Sequence, residues 1–295
     1  MITYYSLNQY YRDRFGQKIY KLSLNAGMSC PNRDGTIGTG GCIFCSAGGS
    51  GDFAASSTLS IFEQIEDAKK RVEKKITGSS PKYIAYFQAY TNTYASTDYL
   101  RTCYMEAIRH PDIVGISVAT RPDCLPQDVL TLLAECNAIK PVWVELGLQT
   151  IHDATADYIR RGYPLTVYDS AVKELLSRGI EVVTHVILGL PGESKEMMLD
   201  TVRHVINSGA KGIKLQLLHV LSGTDLAKDY EAGKFETLTF DEYIAIIIDC
   251  LRLLPPDMVV HRLTGDGPKK LLVAPLWSAN KKHVLNQLNN AIHKA

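Results

Sequence analysis

KIYKLSLNAGMSCPNRDGTIGTGGCIFCSAGG, residues 18–49, sets the terms for the whole chain. Its first eight residues, 18–25, read as a β-strand, and the glycine-rich loop that follows carries Cys30, Cys42 and Cys45. Two cysteines separated by two residues grip one metal centre from a single turn, and the third makes a three-thiolate corner with no fourth cysteine nearby. A structural zinc site wants four closed ligands, and a cubic iron–sulfur cluster normally takes four thiolates. Three ligands therefore point to a cluster with one iron open to a substrate or cofactor. A zinc site completed by a distant histidine or cysteine is the alternative that local spacing leaves open.

Outward from this loop, apolar strand-like runs recur at YIAYF (83–87), IVGISVA (113–119), VWVELGL (142–148), VVTHVIL (182–188) and GIKLQLL (212–218). Helical patterns lie between them. Ser60 and Glu63 form a capping box ahead of Ile61, Ile65, Ala68 and Val72 on one face, and PQDVLTLLAEC and LTVYDSAVKELLSRG follow, the latter closed by Gly179. Most strands repeat at about 30 residues, the length of a βα unit, and they are apolar on both faces as covered parallel strands are. Pattern alone does not separate a barrel from an open doubly wound sheet. Polar groups, however, cluster after every strand: the cysteines, Gln88–Thr93, Thr120–Asp123, Gln149 and Thr150, Gly189–Glu193, then His219, Gly223 and Thr224. A barrel brings all of these to one rim. The expected fold is thus α/β, a partial (βα)6 TIM-like barrel over residues 1–239 with a small C-terminal extension at 240–295 packed on it. The extension reads as an apolar helix, a short strand at MVVHRL (258–263), a loop at TGDGP (264–268) and a final amphipathic helix.

Composition narrows the class. Cys103, Cys124, Cys136 and Cys250 sit in apolar or helical surroundings and read as core filling. MITYYSLNQYYRDRF (1–15) has no apolar core of the secretory type, and no apolar run approaches the roughly 20 residues of a membrane span. A cytoplasmic, reducing location also suits solvent-facing thiolates. Net charge is +1 but unevenly placed: residues 1–21 carry +3, residues 261–295 carry +5, and residues 22–260 carry −7. Tyr4, Tyr5, Tyr10, Tyr11 and Tyr20 interleave the basic N-terminal residues and could stack on unpaired bases. Basic ends on an acidic body suggest a polyanionic partner, with a pair of solvated segments as the plain alternative.

The motifs together resemble the radical S-adenosylmethionine superfamily. The eleven residues between Cys30 and Cys42 depart from the commoner three, but similar spacing occurs in the branch containing the catalytic subunit of Elongator. ATRPDCL (119–125), VELGLQT (144–150), RRGYPLTVYDSAV (160–172), THVILGLPGES (184–194) and KLQLLHVLSGTDLAKDYEAGKF (214–235) resemble that branch. CPNRDG, GGCIFC, GSGDFA and YFQAYTNTYA are similar to the bacterial YtqA/YhcC-like group.

The resemblance implies a 4Fe-4S cluster on Cys30, Cys42 and Cys45, with S-adenosylmethionine on its open iron as the source of a 5′-deoxyadenosyl radical. It implies backbone contacts from Gln88, Ala89 and Tyr90, which stand where the superfamily has a glycine-rich motif. Glu145 and Gln149 would reach the ribose or the amino-acid part of the cofactor, with Arg121 or Lys214 as the partner that a charge in an apolar strand needs. Arg161 would pair with the cofactor carboxylate, and Arg121, His185, Leu188 and Gln216 are further implied contacts. The GLPGE turn (189–193) resembles the adenine-contacting segment, and Gly40 and Gly41 leave room for backbone beside a cluster sulfur. The implied activity is radical modification of the tRNA wobble uridine of the MnmL type, from 5-carboxymethylaminomethyl- to 5-aminomethyluridine. Its partners would be tRNA and an electron donor of flavodoxin or ferredoxin type. Rival readings are a peptide or small-metabolite substrate, and a non-catalytic metal-stabilised RNA-binding module. No residue is singled out as directly catalytic.

Overall fold

The computed structural model describes residues 2–49, 51, 54–76, 80–265 and 267–295. Ser50, Asp52 and Phe53 of the GSGDFA motif and Asp266 of the TGDGP loop lie outside the described residues. The chain opens with β1 (Tyr5–Ser6) and α1 (Leu7–Phe15). Then come β2 (Ile19–Leu24), α2 (Ile61–Val72), β3 (Lys82–Phe87), α3 (Thr97–Arg109), β4 (Ile113–Thr120) and α4 (Gln127–Ile139). They are followed by β5 (Val142–Gln149), α5 (Asp153–Tyr158), α6 (Leu165–Ser177), β6 (Glu181–Leu188), α7 (Lys195–Asn207) and β7 (Gly212–Leu217). β8 (Val220–Leu221), α8 (Asp225–Glu231), α9 (Phe240–Leu253), β9 (Val259–Arg262), β10 (Leu272–Ala274) and α10 (Lys281–Lys294) complete it. The capping box that opens α2 is present: the Ser60 hydroxyl accepts from the Glu63 N–H, and the Glu63 carboxylate accepts from the Ser60 N–H at 2.8 Å.

Eight strands form one sheet in the order β1-β9-β7-β6-β5-β4-β3-β2, parallel at every pairing, while β8 and β10 pair antiparallel. The six expected strands are all there. β9 and β1 widen the sheet to eight, and β1, at two residues, is too short for any period to show. The sheet must curl. Strands sit about 4.8 Å apart, so a flat sheet would hold β2 about 14 Å from β5 and β3 about 19 Å from β7. Yet Lys21 Nζ on β2 lies 2.6 Å from a Glu145 oxygen on β5, and Lys214 Nζ on β7 lies 3.2 Å from the Tyr86 hydroxyl on β3. The edges β1 and β2 do not pair with each other, so the barrel is partial.

Side chains fill its interior in layers. At the N-terminal ends of the strands, Ile19, Ile84, Trp143 and Val183 pack with Tyr11 from α1. The next layer up is ionic: Lys21, Tyr86, Ser117, Glu145, His185 and Lys214. Gln88, Gln149 and Gln216 stand above it, below the cysteine loop. Between sheet and helices lies the larger outer core, which takes in Cys103, Cys136 and Cys250, while Cys124 is buried at the rim. Val284, Leu288 and Ile292 of α10 join the same outer core.

Two of the five N-terminal tyrosines pack inward. Tyr10 and Tyr11 meet Trp143 edge-on at 6.3 and 6.0 Å, Tyr11 is only 2% exposed, and the Tyr10 hydroxyl donates to Glu181 at 2.7 Å. α1 closes the end of the barrel opposite the cysteines, so burial rules out base stacking by Tyr11, and half-buried Tyr10 is engaged by Trp143 and Glu181. Arg14 pairs with Glu181 and Lys21 turns inward to Glu145, which removes two charges from the supposed basic surface.

Candidate active site

Cys30, Cys42 and Cys45 stand on the loop after β2, each partly buried, around a cavity of about 140 Å³. Local backbone bonds fold this loop: the N–H of Arg33 and that of Asp34 reach the Cys30 carbonyl at 2.8 and 3.2 Å, and Cys45 N–H reaches the Cys42 carbonyl at 3.0 Å. Gly41 sits at φ +74, in the left-handed region, and a Cβ there would meet the Arg33 side chain at 3.0 Å, so this glycine is required for the turn. Gly40 would make only ordinary contact with Arg160. Asn32 ties the loop to the turn between α5 and α6: its side-chain N–H donates to the Arg160 carbonyl at 2.7 Å and to the Cys42 sulfur at 3.4 Å.

The Cys45 thiol donates to the Cys42 sulfur, which draws Cys42 down to about 7 and, in return, drives Cys45 well above the usual thiol range. Burial opposes the first shift and adds to the second. Among the described residues, the group of three possible ligands whose donor atoms all fall within 4.8 Å of one another is Glu66, His110 and Asp112, far from the loop.

Arginines surround the sulfurs. Arg161 is 1% exposed and lines the same cavity. It donates to the carbonyls of Tyr163 (3.0 Å), Leu148 (3.3 Å) and Thr150 (2.5 Å), while its Nη2 is buried without a hydrogen-bond partner among the described residues. Arg121 forks onto Asp123 at 2.9 and 2.7 Å, and the Tyr163 ring lies between the two guanidinium groups at 5.0 and 4.9 Å. An unpaired, buried guanidinium nitrogen beside three thiols fits an anionic ligand held over a metal cluster.

The structure brings Tyr90, Arg121, Glu145, Gln149, Arg161 and His185 to the cavity of the cysteines, and Gln216 to an adjoining cavity of about 180 Å³ that shares Cys45, Gln88, Gln149 and His185 with the first. Three of the non-glycine residues here, or next to it, hold left-handed backbone: Tyr90 (φ 59), Gln149 (φ 63) and Arg160 (φ 57). Such conformations persist where the surroundings over-determine them, which is common at functional sites. Tyr90 clasps the cysteine loop, its N–H donating to the Gly49 carbonyl at 2.8 Å and its hydroxyl to Ala47 at 2.5 Å. Ala89 is buried between Gln88 and Tyr90 and lines neither cavity. Leu188 lies wholly in the outer core, its carbonyl taken by Leu218 N–H at 2.9 Å, and the 189–193 turn lines neither cavity. Glu145 is partnered by Lys214, as expected, but Arg121 has turned to Asp123 instead.

Sequence reasoning missed Lys21, Asn32, Arg33, Tyr86 and Tyr163. Lys21 and Tyr86 had a usable signal: each is a polar side chain at an inward position of a strand, two residues from other inward positions. Asn32 and Tyr163 had none, because their roles depend on which loops meet.

Residues 33–205 match the profile of the Radical SAM superfamily, and residues 210–294 that of the Radical SAM C-terminal domain. YtqA of Bacillus subtilis (strain 168) is 48% identical over 289 residues, 98% of this chain and 89% of its own length. The chain belongs to the radical SAM superfamily. Its cofactors are accordingly a 4Fe-4S cluster and S-adenosylmethionine. A tRNA uridine(34) acetyltransferase from Methanocaldococcus jannaschii is 25% identical over 170 residues, 57% of this chain and 31% of that one. Among solved structures, the archaeal Methanocaldococcus infernus Elp3 with an N-terminal deletion superposes with a TM-score of 0.69 at 16% identity, a likeness of fold. It covers 92% of this chain, which spans 63% of that one. Among the described residues, no helix is long and apolar enough to cross a membrane.

Proposed function

We propose that this radical SAM enzyme modifies the wobble uridine of tRNA, converting 5-carboxymethylaminomethyluridine to 5-aminomethyluridine. The observation that carries the substrate class is the sequence likeness to a tRNA uridine(34) acetyltransferase. The placement of the C-terminal lysines agrees with it. Lys269 and Lys270 are exposed and directly follow Gly267 and Pro268, which line the wider cavity. Ile2 N–H meets the Ile292 carbonyl at 3.4 Å, which puts the end of α10 beside the closed bottom of the barrel. Fourteen helical residues span about 20 Å, so the exposed Lys281 and Lys282 stand toward the mouth.

In this reading Cys30, Cys42 and Cys45 hold the cluster as thiolates, and Arg161 receives the cofactor carboxylate through Nη2. Arg121 adds positive potential while Asp123 fixes its direction. Gln149, His185 and Gln216 line the remaining wall, and the backbone of Gln88–Tyr90 faces the cofactor amino group. When bound, the cluster and S-adenosylmethionine supply a 5′-deoxyadenosyl radical that removes a hydrogen atom from the substrate. The protein's part is to orient both molecules and to exclude water, and the barrel closed at one end by α1 serves the second need.

The test is nucleoside mass spectrometry of tRNA from cells lacking the protein. Accumulation of 5-carboxymethylaminomethyluridine with loss of 5-aminomethyluridine is expected. An unchanged tRNA nucleoside profile would overturn the reading in favour of a peptide or small-metabolite substrate.

A further inference from the structure

The ionic layer inside the barrel carries charge that the cofactor reading leaves unused. Both oxygens of the fully buried Glu145 are engaged: one accepts from Lys21 and Ser117, each at 2.6 Å, and the other from Lys214 and from His185 at 2.8 Å. Lys214 is 4% exposed, and both lysines also lie against the Tyr86 ring, 4.9 and 4.7 Å from its centre. Two ammonium groups thus face one carboxylate in a place where an uncompensated ion costs several kcal/mol. His185 does not redress the balance, because burial holds it neutral, down to about 4. Above this layer lies the cavity of about 180 Å³, lined by Lys214, His185, Gln88, Gln149 and Gln216 among others. Burial, with Lys21 and Arg262 adding to it, pushes Lys214 down to about 7, and an anion seated against its ammonium group would oppose that shift.

We infer that this cavity seats a carboxylate carried by the substrate, with Lys214 as the donor that selects for it. The inference rests on the proposed substrate, whose carboxymethyl group supplies such a carboxylate. The carboxylate of the cofactor is the other possible source, and the experiment separates them.

The anaerobically reconstituted full chain is prepared as wild type, Lys214→Met, Lys214→Arg and Gln216→Glu, each checked for cluster absorbance and melting temperature. Competition binding uses three probes. They are an anticodon stem-loop RNA with 5-carboxymethylaminomethyluridine, the same RNA with 5-methylaminomethyluridine, which lacks the carboxylate, and N-methylglycine, which carries the amine and carboxylate without RNA. The wild type should prefer the acidic RNA by roughly tenfold to a hundredfold, the range of a charge-assisted hydrogen bond. Lys214→Met should erase that preference and Lys214→Arg keep part of it, with S-adenosylmethionine affinity changed less than twofold. Gln216→Glu, which sets a carboxylate in the cavity without removing a buried ion, should also erase it, and stands as the test if Lys214→Met does not fold. A preference retained in either variant overturns the inference. So does a loss of S-adenosylmethionine affinity that accounts for the whole effect, since Lys214 would then hold the cofactor. A wild type that ignores all three probes overturns it too. One that ignores both RNAs, yet binds N-methylglycine through Lys214, keeps the carboxylate seat and removes tRNA as the substrate.

Discussion

Replacing Arg161 with glutamine separates a cofactor contact from a structural brace. Three of this side chain's hydrogen bonds go to backbone carbonyls at the end of β5 and in the turn after it, and these serve the fold. The fourth direction, Nη2, is buried and unpaired among the described residues. Native interiors pair most such atoms, so the missing partner points to a ligand. A carboxylate accepting from a guanidinium contributes about 1.5–3 kcal/mol, so its loss should weaken S-adenosylmethionine binding roughly tenfold to a hundredfold. Glutamine keeps an amide donor for one carbonyl but leaves others short, which should cost about 1–3 kcal/mol of stability. Arg161→Lys retains the charge without the planar fork and should fall between the two. Cofactor affinity is read by anaerobic equilibrium dialysis on protein with full iron content, and stability by urea denaturation. If Arg161→Gln is less stable but binds S-adenosylmethionine within twofold of wild type, the side chain is a brace and the cofactor role is wrong.

Cys30→Ala, Cys42→Ala and Cys45→Ala should each abolish iron binding and cofactor cleavage, read by iron content and thiolate-to-iron absorbance; Cys103→Ala and Cys250→Ala should keep the cluster and lose about 1–2 kcal/mol of stability. Lys269, Lys270, Lys281 and Lys282 replaced together by alanine should weaken tRNA binding and flatten its salt dependence, by about 0.9 in slope per duplex phosphate contact and about 0.7 per single-strand contact; wild-type affinity and slope would reduce them to solvated surface. Tyr11→Ala should destabilise the fold by about 3–5 kcal/mol and leave tRNA affinity unchanged, because its ring fills the closed end of the barrel. Burial holds His185 at about 4, below its usual 6.5, so between those values the unfolded chain takes up a proton that the folded chain refuses. Stability should therefore fall as pH drops through that window, by up to about 3 kcal/mol, and His185→Gln should flatten that part of the profile; an unchanged slope would count against it.

The rim of the barrel was legible because its chemistry is written in local order. A strand followed by three cysteines, or by Gln149 and Thr150, announces both its end and its function. The interior was only half legible. Glu145 stood out as a charge in an apolar strand, and a lysine partner was foreseeable, yet the arithmetic of the ionic layer was not. Lys21 looked like part of a basic tail because charge counting has no direction. Its inward position follows from pairing Lys21 with Ile84 on β3 and from the curl that brings β2 toward β5. Tyr10 and Tyr11 misled for the same reason: tyrosines beside arginines suit a nucleic-acid surface, and equally a plug in which Tyr10 reaches Glu181 and Tyr11 is buried against Trp143. β1 shows a further limit, since an edge strand of two residues is recognisable only by the partner it meets, whereas β9 was legible as a strand at 258–263 but not as a member of the barrel sheet.

Access to water explains why the layers lie in the order they do. At the closed end the aromatic rings of Tyr11 and Trp143 fill the interior, and the charges of Arg14 and Glu181 stay at its half-exposed margin. One layer higher, charges survive because each oxygen of Glu145 has donors, with Lys21 and Lys214 both drawn to it. The glutamines at positions 88, 149 and 216 follow, able to donate or accept as the incoming molecule requires. The thiols and arginines come last, at the mouth, where a large cofactor with a carboxylate group can enter. A substrate reaching the ionic layer must therefore pass the cysteine loop and lie between it and Lys214. With the carboxylate seat proposed above, the reacting carbon would lie above that seat and below the cysteine loop, and the distance between the two would help decide which substrate atom is attacked.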